Sequence, residues 1–350
     1  MNLREERKLA HLHYAVALGD APGGAGWDDI RLINLSVPEV DRKEVSTVYE
    51  WWGKRLRLPL LINAMTGGTP LSGEINEALA RAAREAGVAM AVGSQQAALD
   101  NPAVVHTYTV VRRHNPDGVI LANLSARATP EEAARACEMV AADALQLHLN
   151  VAQELAMPEG ERAFRGLVRN IAAVVQAVAV PVIVKEVGFG LSREAATLLY
   201  GAGVRWLDTG GRGGTDFLAI EQERSGVNRP HLRAWGLPGA VSLAEVRQSG
   251  LPVRVIASGG IRSALDLARA LALGAELAGV AGFFLRLLQQ SSWEEVARVI
   301  KAWEEELKDV MVMTGCRTLP ELRRAPLVVT GETREWLEMR GLNPARYAQR

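Results

Sequence analysis

The chain has 350 residues, 48% apolar and 23% charged, a globular composition that can bury a core without disulfide or metal staples. Forty basic and forty acidic residues cancel, so no overall field recruits nucleic acid or an acidic membrane surface. Cys137 and Cys316 match no disulfide or zinc spacing, and no run of about 18 apolar residues is present to span a membrane. The N-terminal Met1-Asn2-Leu3-Arg4-Glu5-Glu6-Arg7-Lys8 has no apolar core after its charges and does not read as a signal peptide. A reducing, cytoplasmic setting is expected.

Residues 1–18 place Leu9, Leu12, Ala15, Val16 and Leu18 at helical spacing after a charged start, which predicts a short helix. Residues 30–52 carry strand-like alternations, Arg31, Ile33 and Leu35, then Val45, Thr47 and Tyr49, read as an extension across one end of the fold. From Leu58 a rhythm sets in. Apolar runs at 58–63, 88–92, 119–122, 144–149, 181–185, 204–207, 253–257 and 277–280 each lead into a helix or a long loop. Thr129-Pro130-Glu131-Glu132 is a helix start with a Thr cap and a Glu three residues on. Ser192 is expected to cap another helix, and Glu245 stands where a capping box for Ser242 would need it. Residues 292–310 read as a long helix, and the Arg-rich tail with Pro320, Pro326 and Pro344 as short helices over a barrel end.

Alternating strand and helix implies a parallel sheet with right-handed crossovers. Eight such units in roughly 230 residues fit a closed (β/α)8 TIM barrel better than an open doubly wound sheet. One domain over 1–350 is expected: an N-terminal extension at 1–57, the barrel at 58–290 and C-terminal helices at 291–350. Chemistry in such barrels sits at the carboxyl ends of the strands, and the polar residues cluster there.

In Ala144-Leu145-Gln146-Leu147-His148-Leu149-Asn150-Val151-Ala152-Gln153-Glu154 the leucines fall on one side of a strand. Gln146, His148 and Asn150 fall on the other, with Gln153 and Glu154 just beyond. Such a group can hold a polar ligand or a hard cation. Ser258-Gly259-Gly260-Ile261-Arg262 after the seventh run and Ala281-Gly282 after the eighth suit a phosphate, because glycines let backbone N–H groups approach an anion. Lys185 ends an apolar run. It could form a Schiff base, steady an anionic cofactor, or reach a rim carboxylate. Arg7 and His11 lie four apart on one helix face and, with Lys8, could clamp phosphate, although on sequence grounds alone a solvated charged helix is the better reading. Asn123 and Ser94-Gln95-Gln96 offer neutral groups suited to a heterocycle edge.

Together these segments closely resemble the type 2 isopentenyl diphosphate isomerase family of FMN-dependent barrel enzymes. The resemblance is carried by Arg7-Lys8-x-x-His11, Ala64-Met65-Thr66-Gly67-Gly68, Gly93-Ser94-Gln95, Asn123, His148-x-Asn150-x-x-Gln153-Glu154, Lys185-Glu186-Val187-Gly188, Gly213-Gly214-Thr215, Trp235-Gly236-Leu237-Pro238, Ser258-Gly259-Gly260-Ile261-Arg262 and Ala281-Gly282. The Ser-Gly-Gly-Ile-Arg loop is shared with other FMN barrels; the His-x-Asn-x-x-Gln-Glu segment and the Arg-Lys pair are specific to this family.

The resemblance implies isomerisation of isopentenyl diphosphate to dimethylallyl diphosphate with reduced FMN and Mg²⁺, NADPH serving as the reductant. It implies an FMN phosphate on Gly259, Gly260, Ala281 and Gly282, with Ile261 and Arg262 in the same loop. The flavin ring would meet Ala64, Met65, Thr66, Gly67, Ser94 and Asn123, with Lys185 at its N1–O2 edge and Gly210 and Thr215 beside it. Arg7, Lys8, His11, Ser94, Gln95, Gln96, His148 and Asn150 would hold the substrate, Gln153 would position its carbon skeleton, and Glu154 would carry Mg²⁺. Gln96 stands where the family usually has Arg, which predicts that one phosphate contact is lost or that another base such as Arg212 replaces it. Gly210 replaces a hydroxyl residue, which would move one flavin hydrogen bond to Thr209 or Thr215. A homo-oligomer, tetramer or octamer, is expected, with Trp51, Trp52 and Trp303 as exposed aromatics at subunit contacts. The rival reading is an FMN oxidoreductase of a 2-hydroxy acid, which would want a His/Arg pair beside the flavin.

Overall fold

A computed structural model describes residues 3–227 and 229–350. Eight parallel strands close into a barrel: β1 (Leu60–Ile62), β2 (Ala89–Ala91), β3 (Ile120–Ser125), β4 (Ala144–His148), β5 (Val182–Lys185), β6 (Trp206–Asp208), β7 (Arg254–Ser258) and β8 (Leu277–Val280). They pair in sequence order, β8 closing on β1. This is the (β/α)8 architecture, and its strands are almost wholly buried because helices cover the outside and side chains fill the inside.

Local sequence sets the helix ends. Thr69, Thr129, Ser192, Ser263 and Ser292 each accept a backbone N–H of the first turn that would otherwise lack a partner. At Thr129 the box is reciprocal: its N–H donates to Glu132 Oε2 at 2.8 Å while its hydroxyl accepts from Glu132 N at 3.2 Å. Gly87 ends the helix Pro70–Ala86 at φ 67°, a conformation that costs glycine little.

Register carries the polar side chains to the barrel mouth. β4 places Gln146 beside Asn123 and His148 beside Ser125. On its other side His148 pairs with Lys185, and Lys185 with Asp208. Gln146 reaches Asn63 across the interior, so this face of β4 points inward and the leucines outward.

Several expectations change. The alternation over 30–52 yields only the strands Ile30–Leu32 and Tyr49–Trp51, while Ile33, Leu35 and Val37 are exposed. The tail contributes a strand as well as helices: Leu327–Val329 pairs antiparallel with Ile30–Leu32 and ties the two ends together. Trp51, Trp52 and Trp303 are not exposed contact residues. Trp51 stacks on Trp52 with centroids 4.2 Å apart, both meet Trp206, and Trp303 packs on Phe283 and Phe284. Burying such rings contributes about 2–3 kcal/mol each. Glu245 forms no capping box, since its helix starts at Gly239 and its carboxylate binds Arg340 and Trp336. Four helices lie outside the expected ones: the short Gln96–Asp100 and Val151–Ala156, Phe217–Ser225, whose apolar face is weakly patterned, and Gly282–Gln290, which follows β8 directly.

Candidate active site

The carboxyl ends of the strands open into a cavity of about 770 Å³. The N-terminal helix Leu3–Ala17 and the helices Val151–Ala156, Phe217–Ser225 and Gly282–Gln290 stand around it. Most of the sequence-predicted site residues line it: Arg7, Lys8, His11, Ala64, Met65, Thr66, Ser94, Gln96, Asn123, His148, Asn150, Gln153, Glu154, Lys185, Gly210, Thr215, Gly259, Gly260, Ile261, Arg262, Ala281 and Gly282.

Four do not. Gln95 is fully buried below the cavity, its amide donating to Ala136 O and accepting from Asn123 N, so it is a strut rather than a substrate ligand. Gly67 packs under Tyr108, where a Cβ would come within 2.0 Å of the ring, and gives its carbonyl to Lys8. Arg212 turns away to Pro22 O and supplies no base beside Gln96; Arg127 lines the cavity, paired with Glu161 at 2.7 Å. Thr209 is buried against Ser258, which leaves Thr215 as the hydroxyl at the cavity.

Lys8 reaches deepest of the N-terminal trio, donating to the Gly67 carbonyl, to Ser94 O at 3.2 Å and to Tyr108 Oη at 2.7 Å. Gly68, with φ 90°, sits beside its ammonium. His11 turns to the buried Glu221, 2.7 Å from Oε1. Gln153 Nε2 donates to the same oxygen at 2.9 Å, and Arg224 Nε to Oε2 at 2.7 Å. Burial alone would raise the Glu221 carboxyl; His11, Gln153 and Arg224 outweigh it and hold it at about 2. Glu221 was invisible in the sequence because its helix had no readable stripe. Its signal is spatial.

Asn150 Nδ2 donates to Glu154 Oε1 at 2.9 Å, and Glu161 N to Oε2 at 2.9 Å. Burial and the nearby Lys185 charge push His148 down to about 3, against a smaller opposing pull from the Leu124 carbonyl, so the imidazole is neutral. Burial pushes Glu186 up to about 7, although the N–H groups of Phe189, Val187 and Gly188 favour its charged form. Lys185 is buried and donates to Glu186 O at 3.0 Å.

The FMN-dependent dehydrogenase family matches residues 123–329, more than half the chain. An isopentenyl-diphosphate delta-isomerase of Moorella thermoacetica is 52% identical over 337 residues, covering 96% of this chain and 97% of the relative. The isopentenyl-diphosphate delta-isomerase of Symbiobacterium thermophilum is 47% identical over 360 residues, covering 100% and 99%. This chain belongs to the isopentenyl-diphosphate delta-isomerase family. A solved mandelate oxidase with (S)-2-phenylpropionate superposes at a TM-score of 0.65 over 93% of this chain and 98% of that one; at 20% identity it is a likeness of fold.

This chain matches a family of FMN-dependent enzymes, and its cavity fits that cofactor. The helix Gly282–Gln290 points its N-terminus at the cavity, with no side-chain cap from Ala281. A Cβ at Gly282 would lie 2.7 Å from Thr215 Oγ1, and one at Gly260 2.4 Å from Ala25 Cβ. Arg286 Nη1, 3.1 Å from that Gly282 position, is buried without a hydrogen-bond partner among the described residues. Uncapped N–H groups, a backbone left bare by tightly packed glycines and a spare guanidinium donor form a phosphate cradle. Among the described residues no group of three or more His, Cys, Asp or Glu gathers as a metal site. No described helix is long and apolar enough to cross a membrane.

Proposed function

We propose that this chain converts isopentenyl diphosphate to dimethylallyl diphosphate, a 1,3-allylic proton shift, on reduced FMN. The observation that carries the reading is the Gln153–Glu221–His11 cluster beside the phosphate cradle and Lys185, in a chain 52% identical to a named isomerase. Gly259, Gly260, Ala281 and Gly282 would hold the FMN phosphate, and Ala64, Met65, Thr66, Ser94, Asn123 and Thr215 the ring. When bound and reduced, FMN supplies an electron-rich, proton-exchanging surface.

Moving an unactivated double bond requires protonation of one carbon and loss of a proton elsewhere. Positive charge therefore develops on a tertiary carbon and needs a dry, electron-rich surround. The chain's residues provide this in parts. Arg7 and Lys8 lie on the helix over the mouth and neutralise the diphosphate. Glu154 would carry Mg²⁺ with Asn150 steadying it, since Mg²⁺ commonly takes one protein carboxylate and completes its shell from phosphate and water. Lys185 favours an anionic ring through its buried charge. Gln153, its amide nitrogen tied to Glu221, holds the carbon skeleton. NADPH acts as the activating reductant rather than a turnover substrate, and the reaction has no net redox change.

Purified protein should be yellow, bleach with NADPH, and then form dimethylallyl diphosphate in the presence of Mg²⁺. Gln153→Ala should keep bound FMN and lose most turnover. Retention of full activity by that variant would refute the role given to Gln153.

A further inference from the structure

Four buried polar side chains run across the barrel interior in one unbroken row. Asn63 Nδ2 donates to Asp208 Oδ2 at 2.7 Å, and Gln146 Nε2 donates to Asn63 Oδ1 at 2.9 Å. Asn123 Nδ2 donates to Gln146 Oε1 at 3.0 Å, and His148 Nδ1 lies 3.0 Å from Asn123 Oδ1. Asn63, Asn123, Gln146 and Asp208 are at most 4% exposed, so their links are made between side chains and shielded from bulk water. Burying four such groups is costly unless each link is made.

The direction of the row is fixed at its far end. Asp208 is surrounded by donors: Asn63 Nδ2 on one oxygen, Ser258 Oγ and Gly210 N on the other. The Ser258 hydroxyl oxygen itself accepts from Gly210 N at 2.9 Å, which leaves its proton for Asp208. Ala64 N–H donates to Asn63 Oδ1 at 2.9 Å and adds to the same preference, which Asp208 completes. Reversing the row would set an NH₂ group of Asn63 against the Ala64 N–H and would need a proton on Asp208. With Asn63 set, Gln146 must present its NH₂ to Asn63, Asn123 its NH₂ to Gln146, and Asn123 its oxygen to the imidazole. A neutral His148 then carries its proton on Nδ1.

We infer that Asp208 is a positioning residue, which acts through Asn63, Gln146 and Asn123 to lock His148 in the Nδ1–H tautomer and leave Nε2 as a hydrogen-bond acceptor at the cavity. His148 lines the cavity, and Nε2 is the ring nitrogen not engaged by Asn123. An unprotonated Nε2 does not grip a fully ionised phosphate oxygen. It receives a hydrogen bond from an N–H or O–H of the bound ligand. The second nitrogen of a histidine commonly dictates the state of the first in this way. The role of His148 thus changes from phosphate clamp to reader of a proton on the ligand.

The kinetic part of this inference rests on the isomerase reading; the tautomer does not. In ¹⁵N-histidine NMR of the FMN-loaded protein, with His148 assigned by loss of its signals in His148→Gln, Nδ1 should appear pyrrole-type and Nε2 pyridine-type. The opposite pattern, or an imidazolium at neutral pH, overturns the proposal whether or not the protein isomerises anything. Asp208→Asn should introduce a population with the proton on Nε2, and kcat/KM should fall about tenfold with FMN content unchanged. If both stay at wild-type values, Asp208 has no such role. Adding inorganic pyrophosphate with Mg²⁺ to the FMN-loaded protein separates the sources: a response of Nε2 assigns the donor to the diphosphate, and its prior response to FMN assigns it to the flavin. Protonation of Nε2 itself in either step refutes the assignment.

Discussion

Gln153 and His11, one from the helix Val151–Ala156 that follows β4 and one from the N-terminal helix, converge on a single oxygen: Gln153 Nε2 lies 2.9 Å and His11 Nε2 2.7 Å from Glu221 Oε1. The contact decides which end of the Gln153 amide is nitrogen and leaves its oxygen for a ligand. Glu221→Gln keeps the shape and removes the fixed acceptor. Turnover should fall on the order of 10- to 100-fold, as for residues that orient a substrate-contacting group, while the flavin absorbance of the purified protein is unchanged. Wild-type turnover in that variant would detach Gln153 from Glu221.

The phosphate cradle depends on space. Gly282→Ala puts a methyl group 2.7 Å from Thr215 Oγ1 at the mouth of an uncapped helix N-terminus. FMN affinity should weaken on the order of tenfold, about 1.4 kcal/mol, in a fluorescence titration of the flavin-free protein. The melting temperature of that flavin-free form should stay near wild type, because the Thr215 side chain can turn aside. Unchanged FMN binding would place the phosphate elsewhere.

The box at Thr129 is a matter of stability alone. Thr129→Ala removes the acceptor for Glu132 N and should cost about 1 kcal/mol in a denaturant titration. Activity at low temperature should not change.

His148 gives stability a pH dependence. Its native value is held near 3 by burial and Lys185, below the ordinary 6.5. The unfolded chain therefore binds a proton that the native chain refuses between those values. Stability is full above pH 6.5 and falls as pH drops, by up to about 1.4 kcal/mol per unit from this group. His148→Gln should flatten the slope of melting temperature between pH 6.5 and 5. The same slope in both proteins would assign the acid sensitivity to other groups.

Much of the fold was legible because barrel strands are short apolar runs whose periodicity and Gly-rich ends survive in one dimension. Leu277–Val280 and the Thr129 cap illustrate this. The order of polar residues at the strand ends was legible for the same reason, since a strand delivers its last side chains to a fixed place. What sequence hid were partnerships across the barrel. Nothing local links Glu221 to Gln153, or Asp208 to Asn63. Gln95 looked like a ligand because it adjoins Ser94, yet the chain turns there and sends it beneath the cavity to Ala136. Trp51 and Trp303 looked like surface aromatics because their partners, Trp206 and Phe284, lie far along the chain.

The central claim is isomerisation on a reduced flavin. It is tested most directly by incubating the FMN-loaded protein, reduced anaerobically, with isopentenyl diphosphate and Mg²⁺ in ²H₂O while following product and flavin absorbance together. The account predicts dimethylallyl diphosphate with solvent deuterium incorporated, many turnovers, and a flavin that ends as reduced as it began. Stoichiometric change of the flavin redox state with each substrate molecule consumed, or no product from the reduced enzyme, would contradict it.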